Sequence, residues 1–236
     1  MQVAGISVEV LRKPIKNLYL RVGSAADGQA QVRLSAPLQA DDRAIHKLIS
    51  QRLGWITQQQ ARLQARPLCR PNQWLSGEQH PFQGELYQLE LVERPGSATV
   101  SPSGQQLRLG IRPNSTISQR EAALNGWYRS QLQKRLPGLF AHWQPIIGEQ
   151  VAEWRIKRMK TRWGSCNPVA RRIWLSLELI KKPAECLEYV LVHEMVHLLE
   201  RGHNARFYGL MDRYLPTWRS SRERLNGALL NGPSDG

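Results

Sequence analysis

His193, Glu194 and His197 stand in the order H-E-x-x-H, and His203 follows six residues later. Residues four apart on a helix lie on one face, so His193 and His197 can grip a single metal ion. Glu194, about 100° around the axis, then faces the remaining coordination position. The chemistry open to such a set is metal-assisted hydrolysis: zinc acidifies water and polarises the bond to be cut, and a carboxylate base takes the proton. The alternative is a pair of hydrogen-bonded core histidines with Glu194 reaching solvent at a helix edge. The neighbours argue against it, because Leu187, Val190, Leu191, Val192, Met195, Val196, Leu198 and Leu199 make the segment apolar on almost every face. Burying two imidazoles and a carboxylate there costs about 2–7 kcal/mol for each group left without a partner, and an ion would satisfy all three together.

His203 is the expected third ligand. Gly202 is expected to end the helix in a left-handed conformation and turn the chain back. The ligand spacing is also that of the metzincin pattern H-E-x-x-H-x-x-G-x-x-H, but Glu200 stands where that pattern has Gly and no Met-turn follows. Asp212 or Glu200 is a competing acidic ligand, and a plain surface role is the remaining alternative for His203.

The elements that must hold these residues are readable in outline. Ile6, Val8 and Val10, then Leu18, Leu20 and Val22, then Val32 and Leu34 alternate as strands. Asp41 or Asp42 caps a helix that carries Ile45, Leu48, Ile49, Leu53 and Ile56 and ends near Pro67. Short strands recur around Leu86–Leu91, Val100 and Leu107–Ile111. Ser118 with Glu121 reads as a capping box opening a helix that Pro137-Gly138 stops, and a shorter helix ends near Ile147. A strand over 151–163 and another over 173–177 are expected to pair as an antiparallel hairpin across Asn167–Ala170, with Pro183 in the first turn of the metal helix. A short helix after His203 and a charged one over Trp218–Leu230 complete the chain, and no internal repeat is evident. The expected architecture is α+β: a β-rich region with one long helix over 1–115, a core over 116–230 in which the hairpin packs beside the H-E-x-x-H helix, and a frayed tail over 231–236.

Composition narrows the setting. The 236 residues, 41% of them hydrophobic, suffice for a real core. Cys69, Cys166 and Cys186 are odd in number and form no C-x-x-C pair, so neither a disulfide framework nor a cysteine zinc site is indicated. Cys166 lacks a readable histidine partner of its own and is expected to be a structural thiol. No signal-like start and no long apolar run are present, so a cytoplasmic protein without membrane contact is expected. The net charge of +14 favours anionic partners. Arg155, Lys157, Arg158, Lys160, Arg162, Arg171, Arg172, Lys181 and Lys182 concentrate it near the metal motif. A solvated cationic face and a surface for phosphate or nucleic acid explain this equally well, since charge is not readout. Trp163 and Trp174 can stack a base but fit core packing better. Arg162 can hold a carboxylate or phosphate, or serve as a salt-bridge partner.

Four strings carry a family resemblance: Met159-Lys160-Thr161-Arg162-Trp163-Gly164-Ser165-Cys166, Trp174-Leu175-Ser176-Leu177-Glu178-Leu179-Ile180, the segment Tyr189–His197, and His203-Asn204-Ala205-Arg206-Phe207-Tyr208. They resemble the YgjP-like metallopeptidase domain family, whose usual strings are close to S-R-W-G-S-C, L-N-x-x-L, Y-V-V-x-H-E-L-x-H and H-S-x-x-F-W. Thr161, Ser176, Asn204 and Tyr208 depart from them without touching the expected ligands. The resemblance implies a zinc-dependent hydrolase with a minimal zincin-like core. The expected activity is a metallopeptidase with Zn2+ held by His193, His197 and His203, Glu194 as general base, and Arg162, Trp163 and Lys160 near the substrate. The family's link to nucleoside triphosphate pyrophosphatase activity, with UTP among the substrates, makes a nucleotide hydrolase the second reading. A DNA-associated protease like the SprT-like enzymes is the third.

Overall fold

A computed structural model describes residues 1–24, 30–64, 73–159 and 161–227. The chain forms two compact units, Met1–Pro71 and Asn72–Gly236. The strands within 79–111, which the sequence grouped with the N-terminal region, thus belong with the second unit. The reason is packing, because Leu89, Leu107 and Leu109 share one buried cluster with the helix that follows them.

In the first unit, β1 (Gln2–Val3), β2 (Ile6–Lys13), β3 (Tyr19–Ser24) and β4 (Ala30–Pro37) lie in the order β1-β2-β4-β3, with β2 and β4 parallel. Val8, Val32 and Leu34 point to the buried face, where they meet Ile45, Ile49 and Ile56 of α1 (Asp42–Gln51) and α2 (Leu53–Gln64). Asp41 caps α1 by accepting from the Arg43 amide.

The second unit opens with β5 (Gln79–Phe82), β6 (Glu85–Glu93), β7 (Thr99–Ser103) and β8 (Gln106–Ile111) in the order β5-β6-β8-β7, again with the second and fourth strands parallel. Both sheets start with a two-residue hairpin turn at positive φ, Ala4-Gly5 at 49° and 80° and Gln83-Gly84 at 55° and 87°. A helix follows each fourth strand. The chain therefore contains an internal structural repeat, contrary to expectation, and it escapes a reading of residue identities because alternation and turn placement carry it.

The helix after β8 is α3 (Ile117–Ile147), uninterrupted over 31 residues. Its capping box is Thr116 with Gln119 rather than Ser118 with Glu121, and it runs through Pro137 to end at Gly148, φ 80°. The buried row Leu124, Tyr128, Leu132, Leu136, Phe140, Trp143 and Ile147 continues on both sides of Pro137, so core packing outweighs the lost backbone bond.

Beyond α3, β9 (Glu153–Lys157), β10 (Gly164–Asn167) and β11 (Arg172–Ser176) form a sheet in the order β10-β11-β9. No single strand spans 151–163, contrary to the expectation of one long strand there. The first part of that segment, β9, runs parallel to β11, the chain then crosses, and β10 supplies the antiparallel partner of β11 across the turn where Asn167 accepts from the Ala170 amide. The architecture is α+β, and β10 packs against the metal-motif helix. A 3-10 helix (Leu177–Lys181) leads to Pro183, which is the cap residue rather than part of the first turn, and then to α4 (Ala184–Val196), α5 (Ala205–Tyr214) and α6 (Trp218–Asn226). The tail over 231–236 lies outside the described residues. No helix among the described residues is long and apolar enough to cross a membrane.

Candidate metal centre

The site is built at the end of α4. Cys186, Leu187, Val190, Leu191, Val192, Met195 and Val196 bury the helix on nearly all sides, which fixes its rotation and hence the direction of His193 and Glu194. His197 is the C-cap. The next turn tightens, with the amides of Leu198, Leu199 and Glu200 bonding to the carbonyls of Met195, Val196 and Val196. The chain thus reverses without a left-handed Gly202, because these bonds already satisfy the last carbonyls of the helix. Asn204 caps α5 by accepting from the Phe207 amide, and this brings His203 back over α4.

His193, His197 and His203 present ligand nitrogens that all lie within 4.8 Å of one another. Nε2 of His193 and Nε2 of His203 are 3.1 Å apart. Two nitrogens on one tetrahedral zinc stand about 3.3 Å apart, given bonds of about 2.0–2.1 Å, so the spacing fits the ion. His197 Nδ1 lies 3.0 Å from the Glu200 carbonyl oxygen. A carbonyl only accepts, so Nδ1 carries the proton and Nε2 keeps its lone pair for a metal. Burial, reinforced by His197, His203 and Arg222, pushes the His193 imidazole down to about 3, and burial also lowers His197. Both rings are neutral at physiological pH, the form that ligates.

Phe207 escaped the sequence reading as a site residue. Only 1% exposed, it places its ring centroid 4.7–4.9 Å from all three imidazoles and so limits their tilt. Its signal was the spacing from Asn204, which puts it at the third helical position of α5. The acidic alternatives point elsewhere. Asp212 accepts from Trp218 Nε1 at 2.7 Å and pairs with Arg219, while Glu200 faces Arg206 at 3.8 Å and the Gly202 amide at 3.3 Å.

Glu194 is 6% exposed and lies against Gly164 at the start of β10. A Cβ on residue 164 would stand 2.5 Å from Glu194 Oε1 and 2.7 Å from its Cγ. Glycine is needed here for space, and it lets the strand come down onto the carboxylate. Glu194 and the three histidines line one cleft of about 590 Å³, together with Arg162, Trp163 and Cys166. Trp163 is only 3% exposed, with Lys182 Nζ 5.3 Å from the centre of its ring. Burial and then Glu194 push the Cys166 thiol up to about 12, so it stays protonated. Lys160 lies outside the described residues.

Most of the basic residues gathered near the motif have partners. Arg155 pairs with Glu153, Arg158 with Glu121 at 2.8 Å, Arg171 with Glu149 at 2.5 Å, and Lys181 with Glu178 at 2.7 Å. Lys157 Nζ sits 3.0 Å from the centre of the Trp174 ring. Arg155, Arg158, Arg171 and Lys181 thus carry local counter-charges, which weakens the case for a nucleic-acid surface built on them.

No curated protein matches the chain. Among solved structures it is similar to the metallopeptidase zymogen of Pyrococcus abyssi abylysin, at 22% identity and a TM-score of 0.35, over 38% of this chain and 90% of that one. The family model for the YgjP-like metallopeptidase domain matches residues 16–228, a span that holds the histidine cluster, Glu194, β3 and β4 of the first sheet and the whole second sheet. The chain belongs to the YgjP-like metallopeptidase domain family.

Proposed function

We propose that the protein is a zinc-dependent peptidase in which Glu194 is the general base. The observation that carries this reading is the convergence of three imidazoles on one point beside a buried carboxylate. Three ligands suit a catalytic site with an open position, whereas a structural zinc takes four protein ligands. Zinc, when held by His193, His197 and His203, supplies Lewis acidity that brings the pKa of water toward about 7 and polarises a carbonyl. Glu194 accepts the proton from the attacking water and delivers it to the leaving amine.

The polypeptide is placed by β10. Only β11 pairs with this strand, so its other edge is open among the described residues, and Ser165 and Cys166 on it line the cleft. An extended substrate can add to that edge by main-chain hydrogen bonds, which carry no sequence preference of their own. The free thiols of Cys166 and Cys186 support a reducing, cytoplasmic site of action.

The test is a zinc-loaded Glu194→Gln variant offered unfolded polypeptide and nucleoside triphosphates beside the parent protein. The variant should retain zinc and lose at least about 10²-fold in peptide hydrolysis. Unchanged turnover would eliminate Glu194 as base, and triphosphate hydrolysis without peptide cleavage would replace the peptidase reading.

A further inference from the structure

Three nearly parallel rings stand beside the histidine cluster. Tyr189 on α4, Trp218 at the start of α6 and Tyr208 on α5 all line the cleft, and the Trp218 ring is tilted 15° from each of the other two, at centroid separations of 6.3 and 5.6 Å. The Tyr189 ring lies 5.8 Å from that of His193, and the Tyr208 ring 6.4 Å from that of His203. A substrate side chain next to the bond held at the metal therefore meets this aromatic wall. A second apolar surface is carried by the turn between β10 and β11, where Pro168 and Val169 also line the cleft. Val169 is 82% exposed, more than any other large hydrophobic side chain among the described residues. The turn fixes it there, with Asn167 accepting from the Ala170 amide at 3.0 Å and the Pro168 carbonyl from the Arg171 amide at 3.3 Å. A single exposed valine is ordinary, but one that shares a cleft with three aromatic rings fits the apolar lining of a binding site.

From these two surfaces we infer that the enzyme selects extended polypeptide segments with an aromatic or large aliphatic side chain beside the scissile bond and a second apolar side chain about three residues along. The inference rests on the peptidase reading. The spacing comes from β10, which runs from Gly164, in contact with Glu194, to Asn167 at the foot of the turn, so a peptide laid on its edge travels about 10 Å from the base to Val169. Side chains of this kind are buried in folded proteins and reachable in unfolded ones, which makes unfolded polypeptide the substrate class. The wall suits a side chain better than a nucleobase. A base stacks on a free ring face, whereas Trp218 is 5% exposed with the Arg219 guanidinium 4.5 Å over its ring, and Tyr189 is 3% exposed. A phenyl or isobutyl group can instead pack edge-on against such rings.

Two internally quenched peptides test it, one with Phe beside the central bond and Leu three residues away on either side, the other with Ser and Asn in their places so that charge is unchanged. The zinc-loaded parent is assayed for kcat/KM on each, and zinc-loaded Glu194→Gln for Kd by fluorescence anisotropy of singly labelled forms. The apolar peptide should be favoured about tenfold or more in both measurements. High salt should leave that ratio standing, since apolar burial is not screened. Val169→Ser should shrink the ratio about threefold, and Tyr208→Ala should shrink it too, whereas a merely structural loss would lower turnover of both peptides alike. Val92→Ser, on β6 and outside the cleft lining, should leave it unchanged. Cleavage of both peptides with equal kcat/KM and equal Kd would overturn apolar selection while leaving the peptidase reading intact, as would a ratio untouched by Val169→Ser and Tyr208→Ala. Apolar-selective binding by Glu194→Gln with no cleavage by the parent would support the recognition and remove the hydrolysis. Absence of both binding and cleavage, with or without hydrolysis of a nucleoside triphosphate in their place, would overturn the inference and the peptidase reading together.

Discussion

Replacing Gly164 by alanine adds one methyl group to the strand that presses on the Glu194 carboxylate. The new Cβ would lie 2.5 Å from Glu194 Oε1, 2.7 Å from Cγ and 2.8 Å from Cδ. Carbon atoms rest about 3.5–4.0 Å apart, so Glu194 must retreat by roughly 1 Å. Rotating the far end of the side chain does not suffice, because Cγ is part of the clash. The helix cannot yield either, since Val190, Leu191 and Met195 are buried on its other sides. A displacement of about 1 Å costs on the order of 10²-fold in rate. We expect kcat to fall about 10²-fold, with one zinc per chain retained because the three histidines are not touched. Overpacking should also cost about 1–3 kcal/mol in urea unfolding. Gly126→Ala serves as control, as that site on α3 is exposed and a Cβ there meets nothing within 4 Å. Peptide turnover per bound zinc is the assay. A Gly164→Ala protein whose turnover stays within about twofold of the parent would refute the claim that this contact positions the base.

Two further outcomes are expected. Stripping the metal with a chelator should abolish hydrolysis and lower the melting temperature, and free zinc at 100 times its Kd should restore about 2.7 kcal/mol; a melting curve indifferent to zinc would remove His193, His197 and His203 as a metal site. His80 should make the fold sensitive to acid. It is 1% exposed, stacks on Trp74 at 4.8 Å, and its Nε2 is 3.5 Å from Glu78 Oε2, too far for a good hydrogen bond. Burial holds its imidazole below the ordinary 6.5, outweighing Glu78. The unfolded chain thus takes up a proton as pH falls below about 6.5 while the folded chain does not, so this contribution to stability is complete above that pH and is lost as pH drops toward the folded value. In the metal-free protein, where His193 and His197 act in the same direction, His80→Gln should flatten the acid limb of the urea midpoint. An unaltered limb would count against buried neutral His80.

The residues proposed to do the chemistry were legible because their relation is local. His193, Glu194 and His197 are related by the helical repeat alone, and the apolar residues around them announce a buried helix; a cap at Asp41 or Asp42 follows equally from neighbours in sequence, and the structure selects Asp41. What depended on contacts between distant segments was not legible. The sequence left His203, Glu200 and Asp212 open as third ligand, and it is His203 that joins the cluster because Asn204 starts α5 where it does, while Arg219 and Arg206 face the acids. The proline at 137 signals a stop, yet the shared core on both sides carries α3 through it. Strand alternation says that 153–157 and 164–167 face a core but not which strand each will join, so β9 could be assigned parallel to β11 only from the fold. Gly164 offers no sequence sign that a carboxylate needs its missing side chain. Periodicity within one element is set by backbone geometry, whereas partner choice, burial of charge and the closeness of β10 to Glu194 are settled by the collective packing of segments far apart in the chain.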